Sequence, residues 1–176
     1  MPKLKTLLPS ATSSAIIAGA AGTLAMDLVL YRRYRTAGGQ RPFVKWEFSS
    51  VPPGFDDAPA PAKLGRSIAK AVGVELPESL AGVVNSIVHW ATGLGWGTAG
   101  SLASALPKVR ALSAGVLTGV SAWGTSYVVL PKLDIYKPIN EYDAKTLWQD
   151  LSAHLAFGAT VGATTALLRS ARRLTS

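Results

Sequence analysis

The chain has 176 residues, one domain's worth, and joins 48% hydrophobic residues to only 16% charged ones at a mean hydropathy of +0.25, a balance unusual for a soluble domain of this size. Its net charge of +8 comes from Lys and Arg that punctuate apolar runs and form no reader motif, which argues against nucleic acid as a partner. The absence of cysteine excludes disulfides, Cys-ligated zinc and iron–sulfur clusters.

The first apolar run, about 11–31, follows Lys3 and Lys5 and ends at Arg32-Arg33-Tyr34-Arg35. Crossing ~30 Å of hydrocarbon takes about 20 residues, so this run predicts a first transmembrane helix. The short basic start and the small residues from Ala18 to Gly22 also fit a cleaved signal peptide, but the apolar character continues past such a site. Of the 10 acidic residues, only Asp27 lies well inside an apolar run. A charge there costs at least ~2.5–3.5 kcal/mol, which marks the position as functional or paired.

The stretch from Thr36 to Ser79 is polar and broken by Gly38-Gly39, Pro52-Pro53-Gly54 and Pro59-Ala60-Pro61. One helical signal survives in it, at about 62–73. Leu64, Ile68, Ala71 and Val72 share a face and Lys63, Arg66 and Lys70 take the remainder, which fits a helix lying in the headgroup region and equally a solvated linker helix. Phe43, Trp46 and Phe48 are expected to dip the loop onto the membrane surface.

The second span is expected over about 80–106, between Pro77 and Pro107, and the third over about 111–130, ended by Pro131. The short link Pro107-Lys108-Val109-Arg110 returns the third beside the second in antiparallel fashion. A fourth span, about 150–168, closes at Arg169, Arg172 and Arg173. The expected fold class is therefore all-α: residues 1–176 as a single transmembrane domain, a four-helix bundle that passes the membrane several times. Of the 18 Lys and Arg, Lys3, Lys5, Lys108, Arg110, Arg169, Arg172 and Arg173 fall on one side and the rest on the loop side, which leans the two large loops towards the cytoplasm.

Two ladders run through the second and fourth spans: Asn85-x-x-x-His89-x-x-x-Gly93-x-x-x-Gly97 and Asp150-x-x-x-His154-x-x-x-Gly158-x-x-x-Gly162. Residues four apart share a helix face, so each ladder is a polar patch followed by a close-packing patch. Gly115 and Gly119 in the third span match Ala15 and Gly19 in the first, each with a polar residue (Tyr127, Asp27) eight positions later. The chain thus reads as two repeated helical hairpins packed through Gly93, Gly97, Gly115, Gly119, Gly158 and Gly162, although glycine-rich faces arise in ordinary helix packing too.

Depth brings the polar residues together. At 1.5 Å per residue, Asp27, Asn85, His89, Tyr127, Asp150 and His154 all lie in the half of the bilayer nearest the two loops, and polar groups there must face the bundle or a wet cavity. Ser126 is an expected neighbour. Three readings fit the cluster. It is interhelical glue, with Asp150 serving as an acid at a helix N-terminus; or a proton or small-solute site, since histidine titrates near neutrality; or a ligand site. In the last case His89, His154 and Asp150 would hold a divalent metal, or the two histidines a haem. Glue needs no cofactor. No metalloprotease, nucleophile-elbow or phosphate-loop motif supports an enzyme.

His89-Trp90, the glycine-rich return helix, Asn140-Glu141-Tyr142-Asp143 and a last span opening with an acid four residues before a histidine together resemble the YagU-like group of bacterial inner-membrane proteins. Asp27 to Arg35 and Tyr136-Lys137-Pro138 are similar to segments of actinobacterial four-span membrane proteins. The likeness covers residues 80 to 170; the Pro-rich first half departs from it. It implies an inner-membrane location and no particular activity. The expectation drawn from the sequence is an accessory or structural subunit of a membrane assembly, with a small transporter or proton-conducting protein and a haem- or metal-binding protein as alternatives. The expected partners are the lipid bilayer and either a second copy or a larger complex.

Overall fold

The computed structural model describes residues 11–49 and 54–175. All regular structure among them is helical. Helix α1 (Ala11–Thr36) is followed by the short α2 (Phe43–Ser49) and by α3 (Ala60–Ala71). A 3₁₀ turn at Glu78–Leu80 leads into α4 (Ala81–Ala103), and α5 (Ala111–Val129) returns beside it. Two further 3₁₀ turns, Leu130–Leu133 and Ile139–Glu141, precede α6 (Ala144–Thr175).

Several boundaries differ from the sequence expectation. Helix α1 does not stop at Tyr31 but runs to Thr36, where the chain first meets glycine. Gly38, at φ +92, turns the backbone left-handed, and the Gly39 and Gly38 amides donate to the Tyr34 and Arg35 carbonyls, the bond pair that closes a helix on a left-handed residue. Gly73, at φ +77, closes α3 in the same way through Lys70 and Ala69. Helix α6 begins at Ala144 rather than at residue 150, because Asp143 caps it: the Thr146 amide donates to Asp143 Oδ1 at 2.8 Å. Asp150 is therefore well inside the helix and is not an acid at its N-terminus. The segment at 43–48 is a helix rather than an irregular loop. Its rings explain this, since Phe43 and Trp46 fall on one face and pack against Tyr31 with centroids 5.2 and 5.4 Å away.

Helices α1, α4, α5 and α6 form the body, with α6 lying against both α1 and α5, and α4 against α1 and α5. The contact faces are made of small residues. A Cβ on Gly97 would strike the Gly19 backbone, and one on Gly115 would meet the Gly162 amide at 2.5 Å and its Cα at 2.7 Å. In each pair, α1 with α4 and α5 with α6, a helix of small residues meets the glycine face of the second. Buried positions are Ser14, Ala15, Ala18, Thr118, Ala153 and Thr165 among others, whereas Ile16, Leu28, Ile87, Leu112, Leu117 and Leu167 point outward. A water-soluble bundle reverses that arrangement.

Arginines tie the ends. Arg33 of α1 donates to the Gln149 carbonyl at 2.5 Å and to Ser152 Oγ at 2.8 Å. Arg169 of α6 donates to the Ser104 and Ser101 carbonyls at 2.6 and 3.0 Å, supplying donors to the C-terminal end of α4. Helix α3 packs across α4 and reaches the Leu130–Leu133 turn, over a small core of Phe55, Ala58, Ala62 and Ala81. Of its expected apolar stripe only Leu64 turns inward; Ile68 and Val72 stay exposed. Two helical stretches, Thr12–Thr36 and Ala144–Leu174, are long and apolar enough to cross a membrane.

Candidate functional site

Between α1, α4, α5 and α6, with the N-terminal turn of α3 across it, lies a cavity of about 360 Å³. Most of its wall is apolar, including Met26, Leu30, Val88, Trp96 and Phe157, and its ionisable groups other than Tyr136 come from the two helices that carry the ladders. His89 reaches it from α4, and Asp150 and His154 from α6. A mostly apolar hollow with a few converging polar groups is the ordinary form of a small-ligand site.

On the α4 side, His89 Nε2 stands 2.7 Å from Asp27 Oδ1. Asp27 is 1% exposed, so Oδ1 is satisfied by this bond and not by bulk water. With Asp27 ionised, His89 donates from Nε2, leaving Nδ1 as the second ring nitrogen. The other carboxylate oxygen, Oδ2, is buried with no hydrogen-bond partner. Glu47 of α2 completes the group: one ligand atom each from Asp27, Glu47 and His89 lie within 4.8 Å of one another. The neighbouring Trp90 indole donates to Glu47 Oε1 at 2.8 Å and fixes its direction, while Phe48 stacks on the Trp90 ring. Burial is the main influence that pushes the Glu47 carboxyl above its usual range, and the charge of Asp27 adds to it, against the bond from Trp90.

On the α6 side, His154 Nδ1 donates to the Asp150 carbonyl at 3.0 Å and lies 3.4 Å from Asp150 Oδ1. Because a carbonyl only accepts, this fixes the proton on Nδ1 and leaves Nε2 as an acceptor. Asp150 Oδ2, like Asp27 Oδ2, is buried without a partner. Tyr127, 7% exposed, lies beside Asp150 and packs with Tyr136 and Tyr142 at ring separations of 5.3 and 5.4 Å. Tyr136, in the connection to α6, has its phenol pushed up to about 12 by burial and by Asp150, so it stays a neutral donor at ordinary pH.

The cluster expected from the sequence is therefore two acid–histidine pairs, of which His89, Asp150 and His154 line the cavity and Asp27 stands behind His89. Asp27 and His89 meet directly, Asp150 and His154 meet along one helix, and Tyr127 stands by the second pair. Ser126 lines the cavity and donates to the Ala122 carbonyl at 3.0 Å. Asn85 joins neither pair; its Oδ1 is buried without a partner one turn before His89. Among the described residues, the metal-ligand grouping that forms is Asp27, Glu47 and His89, and not the expected His89, His154 and Asp150.

Glu47 escaped the sequence reading because it sits in a polar stretch where an acid is unremarkable. The available signal was its setting, Phe43-Val44-Lys45-Trp46-Glu47-Phe48, in which aromatic residues surround a single acid. No protein-family model, no curated protein and no solved structure matches the chain, so its function has to be argued from this cavity.

Proposed function

We propose that the chain is a four-span helical bundle of the bacterial cytoplasmic membrane and that its loop-side cavity carries protons or a small cationic solute. Four spans are supported by composition and length together. Helices α4 and α5 contain no Asp, Glu, Lys or Arg, and at 1.5 Å per residue they extend ~34 and ~29 Å, close to the ~30 Å of hydrocarbon. Their hydropathy is lowered by Gly, Ser and Thr on packed faces and by Asn85 and His89, while Val83, Ile87, Leu112 and Leu117 give them apolar exteriors. The resemblance to YagU-like proteins points to the cytoplasmic membrane.

The observation that carries the functional reading is that both histidines line the cavity, each paired with an aspartate whose second oxygen is buried and unpartnered, Asp150 on the wall itself and Asp27 behind His89. A lone carboxylate oxygen in a site of low dielectric is satisfied by a proton or by a cationic donor. Purified protein in liposomes with a pH-sensitive dye inside should dissipate an imposed pH gradient, and Asp150→Asn and Asp27→Asn should each slow it at least tenfold. Wild-type liposomes as tight as empty ones would overturn proton conduction, and the same vesicles tested with small organic cations would decide the solute arm.

A second reading, an accessory subunit within an assembly or a homo-oligomer, is favoured by one feature. On the outward side of α4, Ala91, Gly95 and Ala99 are exposed four residues apart, and nothing stands within 4 Å of a Cβ placed on Gly95. Native mass spectrometry in mild detergent, comparing wild type with Gly95→Leu, tests it; a monomer in both would end it.

A further inference from the structure

We infer that Asp27, Glu47 and His89 form a binding site for a divalent transition-metal ion of the Mn²⁺, Fe²⁺, Co²⁺ or Zn²⁺ class, open on the cavity side. The inference rests on the reading of this wall as a cation site and names the cation. Three separate elements, α1, α2 and α4, each deliver one ligand side chain to one point, and the three ligand atoms lie within 4.8 Å of one another. Donor atoms sharing an ion at ~2.0–2.2 Å stand roughly 3 Å apart, so the 2.7 Å between His89 Nε2 and Asp27 Oδ1 already has the spacing of neighbours in a coordination shell. The Glu47 oxygen lies within 4.8 Å of both other ligand atoms, so it has to approach them by at most about 2 Å, a movement within reach of a glutamate side chain.

Two further observations point to a ligand. Asp27 Oδ2 is a buried carboxylate oxygen with no hydrogen-bond partner in a side chain 2% exposed, which is the condition a cation relieves. And Glu47 is held by a second residue, the Trp90 indole at 2.8 Å, in the manner of an outer partner that orients a metal-ligating carboxylate. The donor set chooses the metal class. One imidazole nitrogen with two carboxylates suits Mn, Fe, Co and Zn, whereas Ca²⁺ and Mg²⁺ prefer all-oxygen shells. Three protein ligands leave at least one coordination position for water or a passing solute, and His89 borders the cavity from which either would come.

The test uses full-length protein in detergent, stripped with a chelator and titrated with Co²⁺, whose visible absorption reports a nitrogen–oxygen site, with Zn²⁺ as competitor. One Co²⁺ per chain is expected. Glu47→Gln and Asp27→Asn should weaken binding by at least a hundredfold, and Trp90→Phe, which removes only the orienting bond, by about 10–100-fold. Glu141→Gln, an exposed acid in the connection to α6, should bind as wild type. Melting of the metal-free variants, compared with metal-free wild type, separates lost ligands from lost folding. Absence of stoichiometric Co²⁺ and Zn²⁺ binding overturns the proposal, as does binding that survives Glu47→Gln but disappears in His154→Ala. Proton flux without metal binding would overturn the metal site and leave the proton reading standing. Metal binding without flux or uptake would do the reverse.

Discussion

The bond between Asp27 and His89 makes a quantitative prediction. Removing the imidazole with His89→Ala leaves a carboxylate 1% exposed that already has one unpartnered oxygen. Polar bonds between membrane helices average ~0.6 kcal/mol, because each partner finds substitutes in the unfolded state. A hydrogen bond to a charged group is worth more, ~1.5–3 kcal/mol, and removing one partner of a buried pair reaches ~3–5 kcal/mol. The loss for His89→Ala should fall between the membrane-helix average and the full buried-pair penalty, at about 2–3 kcal/mol. Asp27→Asn keeps an acceptor oxygen in place and should cost about 1 kcal/mol. In the Asp27→Asn background His89 has no carboxylate to pair with, so the losses in the double variant should fall short of additive by about 1.5 kcal/mol. The assay is reversible unfolding of all four proteins in mild detergent at one pH. Additivity within ~0.5 kcal/mol would refute the reasoning, since residues in contact at 2.7 Å must be coupled.

Other consequences follow from the packing and from Glu47. Gly158→Ala would push a Cβ onto the backbone of Gly115 and towards the Gly119 amide at 2.9 Å, so α5 and α6 must part; we expect a loss of about 1–3 kcal/mol, whereas Gly95→Ala, with open space before it, should be neutral in the same melts. Arg169→Ala removes two charge-assisted bonds from the end of α4 and should cost about 1.5–3 kcal/mol, with faster hydrogen exchange at the last turn of α4; Arg169→Lys should restore part of it. The pH dependence of Glu47 has a definite sign. Its folded carboxyl titrates above the unfolded value of 4.5, so its contribution to stability is full below that value and is lost as the pH rises through the folded one. Melting of wild type minus Glu47→Gln should therefore fall as pH rises across that interval and level off above it; a flat difference would place Glu47 in water.

The helical body was legible in the sequence because long apolar runs bounded by segregated charges leave few alternatives to helix, and the ladders at Asn85 and Asp150 marked the polar and the glycine patches. What the ladders lacked was rotation. Four-residue spacing puts Asn85 and His89 on one stripe, but only packing decides that His89 meets Asp27 while Asn85 does not. The starts and ends of helices went astray where capping outweighed hydropathy: Asp143 draws α6 forward past any apolar pattern, and Gly38 lets α1 run through three arginines. Glu47 was hidden for a related reason. Its role depends on a ring stack between α1 and α2 that brings a loop residue back to the bundle, a long-range contact that no local pattern announces. A cavity likewise has no sequence signature, since its wall is shared among side chains far apart in the chain.

The two histidines are the only imidazoles in the protein, which makes them direct reporters of the two pairs. Nitrogen-15 NMR of histidine-labelled protein in a membrane mimetic reads the tautomer and hydrogen bonding of each ring. The account predicts one ring strongly bonded at Nε2 and one protonated at Nδ1 with a free Nε2. Asp27→Asn should move the first and leave the second nearly unchanged, and added Zn²⁺ should shift the first as well. Two rings that titrate as free imidazoles, with neither responding to Asp27→Asn, would contradict it.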